Sequence, residues 1–208
     1  QKAHGRSLLT RPRLVVNVPG SLTGVEQRAV RDAAYAAGAR QVFLIQAALA
    51  AAIGADVPIH ETRGHFVVSI GAGCTEVAVI ALGGVVSATT TRSGGDDLDA
   101  AIVAYLDEHF DIRIGAVTAE EIKLGLGCAV PVDGLPAMTV AGQDTRTGLP
   151  KQIELSAYHA RKALQAPLDE LLAAIRRVLD ATPPEIAGDL TASGLVVIGG
   201  AAWLRGLP

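Results

Sequence analysis

The sequence predicts an α/β protein in which mixed sheets are flanked by helices and a small α+β insertion interrupts the main body. Three observations carry that prediction. A β-branched run, an amphipathic stretch and a second apolar run open the chain in strand–helix–strand order. Three further strand-like runs then follow with only glycine-rich turns between them. Turns that short allow only antiparallel hairpins, because a parallel return needs a long crossover. Finally, two long helical stretches lead to a last apolar run, Leu195-Val196-Val197-Ile198.

Taken in order, Arg13 to Val18 reads as a buried strand closed by Pro19-Gly20. Thr23 and Glu26 have capping-box spacing, and Val25, Ala29, Val30, Ala33, Ala34 and Ala37 then recur at helical spacing until Gly38. Gln41 to Ile45 is a second strand and Ala47 to Ile53 a short alanine-rich helix. His65–Ile70, Thr75–Ala81 and Val85–Thr91 are the three hairpin strands, joined through Gly71-Ala72-Gly73 and Gly83-Gly84. Asp96, Asp97 and Asp99 open a helix, where negative charge suits the positive end of the dipole; its stripe is Leu98, Ala101, Ile102, Tyr105 and Leu106.

Thr118 to Leu126 predicts another helix, with Thr118 and Glu121 as a capping box. Met138–Ala141 and Lys151–Leu155 suit a hairpin turning at Thr147-Gly148. Ser156 caps a helix that Pro167 is expected to interrupt. The next helix carries Leu168, Leu171, Leu172, Ile175, Val178 and Leu179, and Pro183-Pro184 stops it.

Composition narrows the functional classes. Of 208 residues 50% are hydrophobic and the net charge is −3, which fits a globular chain and lacks the basic footprint of a nucleic-acid binder. Aromatics are only 3%, so aliphatic side chains must fill the core. Cys74 and Cys128 form no CxxC pair, and the histidines at 4, 60, 65, 109 and 159 include no i,i+4 pair, so a metal cluster is not expected. Val42 to Ala55 is too short and interrupted to span a bilayer, and the basic amino end has no apolar run behind it, so a signal peptide is not expected.

Three segments can carry chemistry. Ser69-Ile70-Gly71-Ala72-Gly73-Cys74-Thr75-Glu76 holds a small-residue turn that lets backbone N–H groups approach an anion; taken alone, a plain tight hairpin without a ligand is the simpler reading. Gly199-Gly200-Ala201-Ala202-Trp203 follows a strand directly, where backbone can lie flat against a ring or a phosphate, or simply pack closely. Glu120-Glu121-Ile122-Lys123 lies on a helix and reads by itself as a solvated charge run. Cys74 suits a small buried role. Trp203 suits either a base-stacking or a core position.

Their order and spacing resemble the actin-like ATPase superfamily, and within it the bacterial actin homologues of the MreB type. The runs RPRLVVNVP, EQRAVRDAAYAAGARQVFLI, AAAIGA, EVAVIALGGVV, GGDDLDAAI, TAEEIK and GLVVIGGAAWLRGL carry the likeness, over nearly the whole chain. Heat-shock chaperones and sugar kinases share that fold without these long runs. The resemblance implies actin-like (ribonuclease H-like) lobes that clasp ATP with magnesium. On that basis residues 1–60 would be the remnant of a first lobe, 61–98 and 158–208 the second-lobe core, and 99–157 a small inserted subdomain. Gly71, Ala72 and Gly73 would fall on the second phosphate loop. Glu120, Glu121, Ile122 and Lys123 would lie beside ribose and adenine, and Gly199, Gly200, Ala201 and Ala202 on the adenosine loop.

The chain departs from the family pattern in ways that bear on chemistry. The family's first phosphate loop, the small subdomain after it and the terminal helices have no counterpart here, so the chain is either a fragment or a shortened homologue. Ser69 stands where the family has a metal-organising aspartate, and Gln46 where it has the glutamate that orients water. Glutamine can hydrogen-bond a water but carries no charge. Phosphoryl transfer rests on positioning and charge stabilisation, so little hydrolysis is expected. The methyl groups of Ala72 and Ala201 are expected to weaken ATP binding. The resemblance further implies filaments formed by self-association or with a full-length paralogue, cell-wall synthesis partners, and a cytoplasmic location with peripheral membrane contact. A nucleotide-free interaction module and, for a fragment of a complete protein, an active ATPase are the alternatives.

Overall fold

The computed structural model describes residues 11–132, 134 and 136–207. Residues 1–10, with His4 and most of the stretch read for a signal peptide, lie outside the described residues. The first unit is a parallel pair, β1 (Arg13–Val18) and β2 (Gln41–Gln46), bridged by α1 (Gly24–Ala36) and followed by α2 (Ala47–Gly54). The capping box forms as expected: the Glu26 N–H donates to Thr23 Oγ1 and the Thr23 N–H to Glu26 Oε2 at 2.8 Å. At the other end of α1, Gly38 adopts φ 101°, where a Cβ would be strained.

β1 is not the buried strand its composition suggests. Its burial alternates, Val15 is 71% exposed and its cross-strand partner Phe43 53%. A sheet of two strands has little to cover its second face, and α1 contributes no buried residue. Helix α2, by contrast, presses Ala48 and Ala52 onto Val67, Ala78 and Ile80 of a larger sheet.

That sheet has the order β5-β4-β3-β9, with β3 (His65–Ile70), β4 (Thr75–Ala81), β5 (Gly84–Thr91) and β9 (Leu195–Ile198). β3, β4 and β5 run antiparallel as the short turns require, whereas β9 lies parallel to β3. The β4–β5 turn is Leu82-Gly83, both at positive φ, the geometry that matches strand twist; Gly84 already belongs to β5. Side chains alternate between two cores. Phe66, Val68, Ile70, Val77 and Val79 meet the second half of α5 (Ala157–Asp180), and the opposite face meets α2.

A third core joins α3 (Gly95–Phe110), α4 (Ala116–Leu126), the first half of α5 and a three-stranded sheet in the order β6-β7-β8. β6 (Ile112–Arg113) is too short to show in the sequence; β7 (Met138–Asp144) and β8 (Pro150–Leu155) are longer than expected. Three expectations are corrected here. Thr118 is not a cap: α4 starts two residues earlier behind Gly115, and no side chain caps it. Pro167 does not interrupt α5, which runs through it. Burial of Leu164 and Leu171 on either side offsets the roughly 3 kcal/mol that an interior proline costs. Pro183-Pro184 does more than stop a helix, since Pro184 opens α6 (Pro184–Ser193) at the position where a missing N–H is harmless.

The β7–β8 turn offers a test by pH. Asp144 accepts from the Thr147 N–H at 2.8 Å, the Thr147 hydroxyl and the Arg146 N–H, and pairs with Lys151 at 3.0 Å. The Thr147 N–H first, then Lys151, hold its carboxyl well below the usual carboxylate range. A depressed folded-state pKa adds stability above the unfolded value, and that stability is lost as pH falls from there toward the folded value. Asp144→Asn is therefore expected to flatten the acid limb of stability against pH. Chemical unfolding at pH 3 and pH 7 checks it.

Among the described residues no helix is long and apolar enough to cross a membrane.

Candidate functional site

The parallel pairing of β3 with β9 brings both glycine bends to the same end of the sheet. Ser69 lies opposite Ile198, so Gly71 and Gly199 leave neighbouring strands together. Gly199 has φ 103°, and a Cβ there would lie 2.2 Å from the Ile70 carbonyl oxygen. Only glycine lets the two strands part this closely.

The first bend closes through the Gly71 N–H to the Cys74 carbonyl at 2.9 Å. Its outer carbonyls are consumed by the start of α3: Gly95 N–H donates to Gly71 O and Asp96 N–H to Ala72 O, both at 2.9 Å. In a trans peptide N–H and C=O point in opposite directions. The N–H groups of Ala72 and Gly73 therefore face away from α3, as an anion cradle requires. The bend is also anchored sideways, because Thr75 Oγ1 donates to the Ser93 carbonyl at 2.6 Å.

Between the bends lies a cleft of about 350 Å³. Gly71 and Ala72 line one side, Gly200 and Ala201 another, and Glu120 and Lys123 of α4 a third. Other lining residues escaped the sequence reading: Gly95, Asp96 and Asp99 from α3, and Ala116, Val117 and Leu124 from α4. Gly73 and Gly200 have no atom within 4 Å of a would-be Cβ, so their backbone is bare.

The remaining predicted positions separate from the cleft. Ile122 is fully buried in the third core and Glu121 is exposed, so only two residues of the Glu-Glu-Ile-Lys run line it. Gly73, Gly199 and Ala202 are not among the lining residues either. Ser69 sits half-buried in β3 between Glu76 and Ile198, and Gln46 ends β2 exposed at the start of α2; neither lines the cleft.

Lys123 is engaged already. Its Nζ donates to Asp99 Oδ2 at 2.7 Å and to the Gly95 carbonyl at 3.1 Å, with the two side chains only 12% and 16% exposed. Asp99 Oδ1 is buried without a partner. With Asp96 and Glu120 alongside, acidic groups outnumber the single lysine around the cleft.

Glu76, the last residue of the first candidate segment, is a second buried carboxylate, to which the sequence alone assigns no role. It is 4% exposed, its Oε1 accepts the Gly20 N–H at 2.8 Å, and its Oε2 has no partner. An acid inside the otherwise apolar Thr75–Ala81 run was the available signal. The half-buried Cys74 thiol is pushed up by burial and then by the Glu76 carboxylate. Trp203 is 87% exposed, which excludes the core role. It lines a smaller recess of about 100 Å³ that shares Lys123, Leu124, Gly200 and Ala201 with the main cleft. Among the described residues no group of three or more His, Cys, Asp or Glu is arranged to hold a metal ion.

Comparison with known proteins places this geometry. The family model described as "MreB/Mbl protein" matches residues 1–208. The cell shape-determining protein MreB of Escherichia coli is 43% identical over 208 residues, which is 100% of this chain and 60% of that protein. Mbl of Bacillus subtilis is 34% identical over 99% of this chain and 62% of its own length. The chain thus spans about 60% of these relatives. The crystal structure of MreB5 of Spiroplasma citri bound to AMPPNP matches with TM-score 0.89 and 32% identity, over 93% of this chain and 58% of that one. The MamK double helical filament shares the fold at TM-score 0.78 and 18% identity, over 99% of this chain and 61% of that one.

Proposed function

The chain belongs to the MreB/Mbl family and has its actin-like fold, and from that premise we propose that it serves a bacterial cytoskeletal filament of the MreB type, acting in cell shape and cell-wall synthesis. One observation supports the nucleotide part of this reading above all. Two small-residue bends, one on each of two parallel strands, face a common cleft through Gly71 and Ala72 on one side and Gly200 and Ala201 on the other, with bare backbone at Gly200. A nucleotide's phosphates would meet the N–H groups of the first bend, and its nucleoside the second bend and α4. Gly71, Ala72, Gly73, Glu120, Lys123, Gly200 and Ala201 are the residues we assign to it. MreB5 of Spiroplasma citri, solved with AMPPNP and with ADP, is the relevant precedent.

The role is binding rather than turnover. Ser69 and Gln46 offer no charge, and the described residues give a magnesium ion no cage of their own, so any ion would be held mainly by the phosphates. We keep the division into a first-lobe remnant (1–60), a second-lobe core (61–98 and 158–208) and an inserted subdomain (99–157) as part of this reading; Ala48, Ala52 and Ile59 of the first part pack on Val67, Ala78 and Ile80 of the second. Assembly is by self-association or with a full-length paralogue, in the cytoplasm and against the membrane face where cell-wall synthesis proteins work.

Sedimentation with and without ATP, combined with a phosphate-release assay, tests the reading. Polymers or co-pelleting with a full-length paralogue are expected, with phosphate release at buffer background. No pelleting in either arm overturns the filament role, and steady release overturns the binding-only role. A second reading, a nucleotide-free interaction module, draws on the acidic excess around Lys123. ATP binding in the micromolar range by calorimetry eliminates it.

A further inference from the structure

The β1–α1–β2 unit is attached to the β5-β4-β3-β9 sheet at two places of opposite character. At one, Ala48 and Ala52 of α2, with Ile59, lie on Val67, Ala78 and Ile80. At the other, the Gly20 N–H donates to Glu76 Oε1 at 2.8 Å. Among the described residues this is the one hydrogen bond that ties residues 11–54 to residues 65–207. Glu76 reaches Gly20 because strand alternation puts it on the face of β4 that Ala78 and Ile80 present to α2. It lies two residues beyond Cys74, whose carbonyl closes the first bend, so the Pro19-Gly20 turn is held beside that bend.

The two attachments differ in how readily they let go. The apolar one is non-directional, and alanine methyls can rock over a sheet while staying buried. The polar one is closely balanced. Glu76 is 4% exposed, so its carboxylate gives up hydration and recovers one hydrogen bond, while Oε2 recovers none. Releasing Gly20 breaks that bond but rehydrates both oxygens, which brings the closed and open arrangements near in free energy. Charge assists closure from outside. Thr90 is the cross-strand partner of Glu76, and Arg92, two residues on, acts on Glu26 of α1. The Thr23 N–H and hydroxyl chiefly hold that carboxyl below its usual range, and Arg92 lowers it further. We propose that Glu76 is a latch: its carboxylate fastens the Pro19-Gly20 turn beside the first bend, and its release lets the β1–α1–β2 unit swing away about α2. The latch operates whether or not the cleft takes a nucleotide.

Amide hydrogen exchange, read peptide by peptide on the full chain, tests it. Helix α1 contributes no buried residue, so the unit frays once undocked, and exchange over residues 13–46 reports release. Gly20→Pro deletes the donor and sets a ring carbon in its place. The position accepts proline: it is the second residue of the turn closed by the Leu22 N–H on the Pro19 carbonyl, and nothing lies within 4 Å of its would-be Cβ. Exchange over 13–46 is expected to quicken roughly tenfold, the size of losing one hydrogen bond to a charged group, while α3, α4 and α5 keep the parent rates. Glu76→Val is expected to open the unit equally with an unfolding midpoint no lower than the parent's, since it removes a desolvated charge from a strand. Glu76→Gln keeps an acceptor oxygen and stays close to the parent. Parent-like exchange in Gly20→Pro overturns the latch. So does equal quickening in α5, which would make Glu76 a prop of the whole core, and so does Glu76→Gln opening as far as Glu76→Val.

Discussion

Gly199→Ala is expected to destabilise the protein by about 3 kcal/mol, lowering the unfolding midpoint by roughly 5–10 °C for a domain of this size. Two independent penalties combine. An alanine at φ 103° is strained whatever the space around it, and its Cβ would enter the Ile70 carbonyl at 2.2 Å. The obstacle is backbone of a central strand, so relief means separating β3 from β9 where they carry the two bends. Gly200→Ala is the internal control: nothing lies within 4 Å of its would-be Cβ and its φ is not positive. Thermal denaturation of the pair should show a large loss for the first and almost none for the second. Equal midpoints would mean that β3 and β9 diverge differently from the geometry described here.

The second large effect is expected at Lys123. Lys123→Met removes one partner of an ion pair whose side chains are 12% and 16% exposed, leaving Asp99 without its cation. Breaking one side of such a pair costs about 3–5 kcal/mol, largely because the surviving charge stays desolvated. The Asp99 Oδ1 atom is already buried without a partner, so nothing nearby takes over. Adding Asp99→Leu to Lys123→Met should recover most of the loss, since it removes the stranded charge. Urea unfolding of the two single variants and the double variant reads the coupling directly. Simple additivity would show that the pair is solvated rather than sealed by the packing of α3 on α4. ATP affinity falls in the Lys123 variants on the nucleotide reading, and the double variant separates that loss from a folding defect.

Much of the architecture is legible because local and tertiary preferences agree. β3, β4 and β9 are β-branched runs bounded by glycine or charge, and their limits are those the sequence predicts. Thr23 with Glu26 announces α1. Thr118 misleads because its spacing to Glu121 copies a capping box while the helix has already begun at Ala116. Pro167 misleads because a local rule is overruled by leucines that only the folded core brings together. β1 misleads in the opposite sense, since its composition promises burial that a two-stranded sheet cannot give.

At the cleft, glycine bends are visible in sequence because small residues in a row are conspicuous. The acids are not. Asp96 and Asp99 read as partners of a helix dipole, and only the docking of α3 under the Gly71-Ala72 carbonyls turns them toward the same space as Lys123. The GGDDLDAAI run held the clue, because its glycines are what permit that docking: a Cβ on Gly94 would lie 2.3 Å from the Ala72 oxygen.

The parallel neighbours β3 and β9 have a bearing on how the molecule comes into being. β3 waits with one edge unpaired while every element from β4 to α6 is synthesised, because its parallel mate β9 follows them in the chain. Pairings so distant in the chain are slow to form, and a strand left open meanwhile invites wrong partners. The crevice is thus completed only after β9 has been made, and a nascent chain has nowhere to hold a ligand until that strand arrives.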